Sequence, residues 1–123
     1  METRILIDTA LSGGSLRELL EEAAAKYDVA QLALGVERTA MDFSLPCRSG
    51  YGTPLTPEAL VALRRRCGAP VFFSEALCAK YFTYRRDSEI RLVLFDDDET
   101  VRRKLALAQS LGIEEAFRIY TGQ

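Results

Sequence analysis

The sequence predicts a mixed α/β domain in which β-α-β units are joined to a small antiparallel hairpin portion, with about six strands and three helices. Three observations predict it. Two short apolar runs, residues 4–8 and 30–36, flank a helical stripe, and the second is almost continuously apolar, as in a parallel strand covered on both faces. The apolar spacing then changes from helical to alternating across residues 81–95. Finally the chain returns to a helix and a last strand. At 123 residues this is one domain, spanning 1–123.

Each element has its own signal. Arg4-Ile5-Leu6-Ile7-Asp8 is rich in β-branched residues and reads as a strand. After the Ser12-Gly13-Gly14 loop, Ser15 opens a helix, with Glu18 placed three residues on for a capping box. Leu16, Leu19, Leu20, Ala23, Ala24 and Tyr27 form its apolar stripe. Residues 39–56 contain Pro46, Gly50, Gly52 and Pro54 and read as a loop. Thr56 caps a second helix with Pro57 at its first position, Leu60, Leu63 and Cys67 face inward, and Gly68 ends it before Pro70. Arg64-Arg65-Arg66 falls in the last turn, where cations suit the helix dipole; that reading is preferred over an anion site. Val71-Phe72-Phe73 is a short strand, and residues 81–84 and 90–95 pair around Arg86-Asp87-Ser88. Asp96-Asp97-Asp98-Glu99 opens the third helix; capping of free N–H groups is preferred over a metal site. That helix runs through Val101, Leu105, Ala108 and Leu111 to Gly112, and residues 116–120 form the last strand.

Composition excludes several functions. With 48% hydrophobic residues the chain has the means to bury a core, which excludes disorder from low hydrophobicity. The formal net charge of −2 argues against a nucleic-acid partner. There is no histidine, so Ser-His-Asp triads, Cys-His dyads and His-ligated metals are excluded, and no tryptophan to stack on sugars. Neither Gly-x-Gly-x-x-Gly nor a P-loop is present, and no cofactor or metal is expected. Cys47, Cys67 and Cys78 lack C-x-x-C spacing and read as buried inert thiols of a reducing compartment. The N-terminal apolar run is too short for a signal peptide or a span, so no membrane partner is expected and the sequence as written reads as cytoplasmic. A piece of a longer protein would instead fit an extracellular, spore or cell-wall location.

Four stretches, in this order, resemble the C-terminal part of glycoside hydrolase family 18 barrels of the bacterial spore-germination and cell-wall type. Leu32-Ala33-Leu34-Gly35-Val36 followed by Asp42-Phe43 is similar to a late barrel strand. Gly52-Thr53-Pro54-Leu55-Thr56 is similar to the start of that family's inserted α+β subdomain, and Ala79-Lys80-Tyr81-Phe82-Thr83-Tyr84 to its Pro-Tyr-Phe-x-Tyr strand. Leu92-Val93-Leu94-Phe95-Asp96-Asp97, with the helix that follows, is similar to the strand and helix before the last barrel strand. The resemblance covers residues 31–121 and implies a partial TIM-barrel-like arrangement with a hairpin insertion.

The resemblance also marks what is missing. The family's Asp-x-x-Asp-x-Asp-x-Glu signature is absent, so no catalytic residue is assigned. Asp8, Asp42 and Glu75 are the carboxylates to consider for an active hydrolase, but no spacing pairs any two of them. Where the family carries Tyr-Gly-Tyr-Asp-Trp, this chain has Thr39-Ala40-Met41-Asp42-Phe43. The implied function is a non-catalytic module binding acetylglucosamine oligomers or a peptidoglycan fragment, with Asp42, Phe43, Tyr51 and Tyr84 as the candidate contacts. For Asp42 alone, a loop-capping role is preferred. A few barrel strands cannot close on themselves, so the sequence predicts either one mixed sheet covered by helices or self-association as a homodimer. A structural or interaction module with no ligand is the alternative function. An active glycosidase completed by a separate half-barrel is a third.

Overall fold

The structure is a computed structural model and describes residues 5–9, 14–36, 38–45 and 52–118. Strand β1 (Ile5–Asp8), helix α1 (Leu16–Lys26) and strand β2 (Leu32–Val36) form a parallel β-α-β unit. Ser15 caps α1 by accepting the Glu18 N–H, and the turn Val29–Gln31 leads into β2, so Ala30 and Gln31 precede the strand. Strands β3 (Ala40–Leu45) and β4 (Thr53–Pro54) follow, then helix α2 (Pro57–Cys67). Strands β5 (Phe72–Ser74), β6 (Ala79–Arg86) and β7 (Glu89–Phe95) complete the antiparallel portion. Helix α3 (Asp98–Ser110) and strand β8 (Glu115–Arg118) end it.

The strands make two sheets. One is parallel, in the order β1-β2-β8; the other is antiparallel, in the order β4-β3-β7-β6-β5. The chain leaves the parallel sheet at the end of β2 and re-enters it through α3 and β8, so residues 40–95 are an insertion within a second β-α-β unit. One of the two arrangements the sequence leaves open, a single mixed sheet, does not form among the described residues. Crossover helices α1 and α3 keep β1, β2 and β8 parallel, whereas short turns join β5 to β6 and β6 to β7 as antiparallel neighbours.

Residues 39–56, read from sequence as one loop, contain β3 and β4, which raises the strand count among the described residues to eight. The breakers Pro46 and Gly50 lie beyond β3, whose own residues alternate. Ala40, Asp42 and Ser44 share the face toward α2, while Met41, Phe43 and Leu45 share the other. Asp42 is therefore a strand residue and caps no loop.

Two helices end and begin as their sequences direct. Gly68 adopts a left-handed φ of 58° and its N–H bonds the Arg64 carbonyl, closing α2. Asp97 caps α3 in a reciprocal box with Thr100.

The core is divided by the sheets. Ile7, Leu32, Leu34 and Val36 pack with Leu16 and Leu20 of α1, Ala108 of α3, and Ile113. All five residues of β2 are buried, as its apolar run predicts. Phe82, Val93 and Phe95 pack against Leu63 of α2 on one face of the antiparallel sheet. Phe43, Leu94 and Ala79 form a smaller cluster on its other face.

Candidate functional site

Register decides which candidate residues can act together. Asp42 lies opposite Val93, and Arg91 lies between Ser44 and Tyr84, so Asp42, Arg91 and Tyr84 share the α2 face of the antiparallel sheet. The Tyr84 hydroxyl donates to Asp42 Oδ2 at 2.5 Å and Arg91 Nε donates to Asp42 Oδ1 at 2.8 Å. Arg91 also pairs with Glu89. Burial pushes the Tyr84 hydroxyl above its usual range, and its bond to the Asp42 carboxylate pushes it further. Arg91 is held more firmly protonated, first by its hydrogen bond to Asp42. Asp42 is 6% exposed, and both its oxygens are engaged within the sheet.

Phe43 points to the opposite face. It is buried, and Gly52 lies so close that a Cβ there would sit 2.8 Å from the ring. The structure thus brings Asp42 and Tyr84 together and separates them from Phe43. Tyr51 lies outside the described residues. Of the three carboxylates weighed for hydrolysis, Asp8 ends β1, Asp42 sits in β3 and Glu75 is exposed in the turn after β5, on three different elements. Among the described residues no cluster of acidic or cysteine side chains is arranged to hold a metal. No helix among them is long and apolar enough to cross a membrane.

An aromatic pair on the Phe43 face was not singled out from sequence. Phe72 of β5 and Tyr81 of β6 are cross-strand partners with ring centroids 5.6 Å apart and planes inclined by 31°. Phe72 is 52% exposed. Met41, Leu92 and Leu94 continue this face, and Leu45 and Ile90 are exposed at its far end. The signal was the alternation of β6, where Tyr81, Thr83 and Arg85 share one face and Phe82 and Tyr84 the other. It becomes a site only once the position of β5 is known.

A second constellation ties the two sheets together. Lys104 of α3 is 1% exposed; its Nζ donates to the Thr9 carbonyl at 2.9 Å and lies 2.9 and 3.0 Å from the two oxygens of Asp96. The Thr100 hydroxyl donates to Asp96 Oδ1 at 2.7 Å. Burial pushes the Asp96 carboxyl up from its ordinary range, against the pull of Lys104. Asp97 next to it is shifted the other way: burial raises it, but Lys80 at 2.6 Å and the Thr100 N–H outweigh that and hold it low.

No protein-family model matches this sequence, and no curated protein matches it. Among solved structures the fold is shared with a spore cortex-lytic enzyme and chitinases. The chain is similar to the Bacillus cereus spore cortex-lytic enzyme SleL, with TM-score 0.76 and 20% identity over 97% of this chain and 31% of that one. It is similar to a chitinase from Chromobacterium violaceum, with TM-score 0.70 and 21% identity over 99% of this chain and 39% of that one. It is also similar to a class V chitinase mutant from Nicotiana tobaccum solved in complex with NAG4, with TM-score 0.56 and 17% identity over 80% and 32%. At these identities the likeness is one of fold: the domain has the architecture of a segment of a chitinase-like glycoside hydrolase. It spans about a third of the length of each of these structures.

Proposed function

We propose that this domain is a non-catalytic, chitinase-like module that binds acetylglucosamine-containing glycans of the chitin or peptidoglycan type. The observation that carries the reading is the Phe72–Tyr81 pair on the inserted sheet, an aromatic platform in which Phe72 is exposed and Tyr81 half-buried. Aromatic faces stack on the apolar faces of pyranose rings. The fold shared with cortex-lytic and chitin-degrading enzymes supports a glycan as the ligand class and a cell-wall polymer as its setting. In this reading Phe72 and Tyr81 touch the sugar and Phe43 supports them from within the sheet. Asp42 and Tyr84, bonded to each other on the α2 face, hold the strands in register. Tyr51 is a further contact in this proposal.

The test is a titration of labelled protein with acetylglucosamine oligomers and a peptidoglycan fragment, followed by two-dimensional NMR. Saturable shifts centred on Phe72 and Tyr81, lost in Phe72→Ala and Tyr81→Ala, support the reading. Flat spectra at millimolar ligand overturn it.

A second reading, self-association as a homodimer, is favoured by one observation. Phe72, Ile90 and Leu45 are 52%, 47% and 39% exposed on the same sheet face. Exposed apolar residues at both ends of one sheet face, with Met41, Leu92 and Tyr81 between them, mark a candidate interaction surface. Sedimentation equilibrium decides it: a dimer dissociated by Ile90→Lys supports this reading, and a monomer at all concentrations removes it.

A further inference from the structure

We propose that the open edge of β6, at Thr83–Arg86, binds an extended acidic peptide by strand addition. Strand β5 covers only the first part of β6: its register ends with Phe72 opposite Tyr81. From Phe82 to Arg86 no described strand lies on that side. The two-residue turn Asp87–Ser88 makes Arg86 and Glu89 the closing pair of the hairpin. In an antiparallel ladder the bonded positions alternate, so Phe82, Tyr84 and Arg86 face β7 with their main chains. Thr83 and Arg85 then turn their N–H and C=O groups to the open edge.

A groove of about 480 Å³ runs beside this edge, lined by Arg66, Cys67 and Ala69 at the end of α2 and by Thr83–Arg86. No carboxylate lines it. Arg66 and Arg85 are exposed and enter no ion pair among the described residues, and Arg86, also exposed, acts on Glu89 opposite it only at longer range than a direct ion pair. The helix dipole accounts for a cation at the end of α2, but not for two more on a neighbouring strand. In a chain of net charge −2 this is a local excess of positive charge along an edge that meets no partner strand among the described residues. Backbone pairing supplies affinity in strand addition and the flanking side chains supply selectivity. Because side chains alternate along β6, Arg85 and Arg86 point to opposite faces. The matching peptide therefore carries two consecutive acidic residues within a strand-forming segment.

The test uses the full chain and a fluorescein-labelled Thr-Val-Glu-Glu-Val-Thr peptide, read by fluorescence polarisation. Saturable binding is expected, weakened at least about tenfold when alternate peptide nitrogens are methylated and when Lys-Lys replaces Glu-Glu, a factor of ten being about 1.4 kcal/mol. The exposed-site double variant R85E/R86E is expected to reverse the preference toward the Lys-Lys peptide, which a misfolded protein would not do. Equal binding of the methylated peptide overturns strand addition. Indifference to peptide charge, absence of binding at millimolar peptide, or tighter binding of polyphosphate in the same groove overturns the acidic-peptide assignment.

Discussion

Asp96 and Lys104 form a buried ion pair that bridges the two sheets. Asp96 follows β7, the centre of the antiparallel sheet, and Lys104 reaches from α3 to the Thr9 carbonyl at the end of β1. With Lys104 1% exposed, neither charge has water to fall back on. Removing one partner leaves the other uncompensated, which costs about 3–5 kcal/mol, whereas replacing both with apolar groups is far milder. We therefore expect Asp96→Ala to lose stability on that scale in urea denaturation. Asp96→Leu combined with Lys104→Met should recover most of it, short of the bonds lost by Thr9 and Thr100. A single variant costing under about 1 kcal/mol would show that the pair is solvated after all.

Asp97 gives the fold an acid-sensitive component. Its carboxyl is held below the ordinary 3.8, by the Lys80 bond and the Thr100 N–H acting against burial. A depressed native pKa means the unfolded state binds more protons near pH 4, so stability rises with pH there. The contribution is complete above 3.8 and is lost as pH falls through the lower native value. Asp97→Asn keeps the helix cap but removes the charge. The partly exposed pair is worth about 0.5 kcal/mol. Wild type should exceed Asp97→Asn by about that at pH 7, and the two should converge below pH 3.8. A difference that grows on acidification would contradict the assignment.

Gly52 is required by Phe43. A Cβ at position 52 would lie 2.8, 2.9 and 3.1 Å from three atoms of the Phe43 ring, which is itself 7% exposed. Overpacking of this kind costs about 1–3 kcal/mol. Gly52→Ala should be destabilised by that amount, and Phe43→Leu in the same chain should relieve part of it. Additive losses in that double-mutant cycle would mean the two residues do not share a contact.

The sequence made the regular elements legible where local chemistry dictates them. Thr56-Pro57 and Gly68 bound α2, Asp97 opens α3, and the unbroken apolar run at 32–36 marks β2 as the central parallel strand. Strand β3 was not legible, because Pro46 and Gly50 follow it closely enough to mask its alternation. Of the candidate site, the pairing of Asp42 with Tyr84 follows from a register that no local pattern encodes, since their 42-residue separation is bridged by β7. The same holds for Lys104. It lies 95 residues from Thr9, and as a lysine on an amphipathic helix it carries no local sign of being buried.

Cys67 and Cys78 should differ in reactivity although both are free thiols. Cys78 is buried, with a left-handed φ of 53°, and its Sγ lies 3.9 Å from the Thr100 carbonyl. Burial pushes its thiol above the ordinary range, against the pull of Lys104, so little thiolate forms at neutral pH. Cys67 is half-buried and lines the groove beside β6. Alkylation followed by peptide mass spectrometry should label Cys67 in the native protein at least about ten times faster than Cys78. In urea the two rates should converge, since the difference is one of burial. If the acidic peptide occupies the groove, it should slow labelling of Cys67 and leave Cys78 unaffected, which gives strand addition a second readout at a side chain that carries none of its charge. Labelling of Cys78 at the Cys67 rate in the native state would show that the packing between α3 and the β5–β6 turn opens without global unfolding.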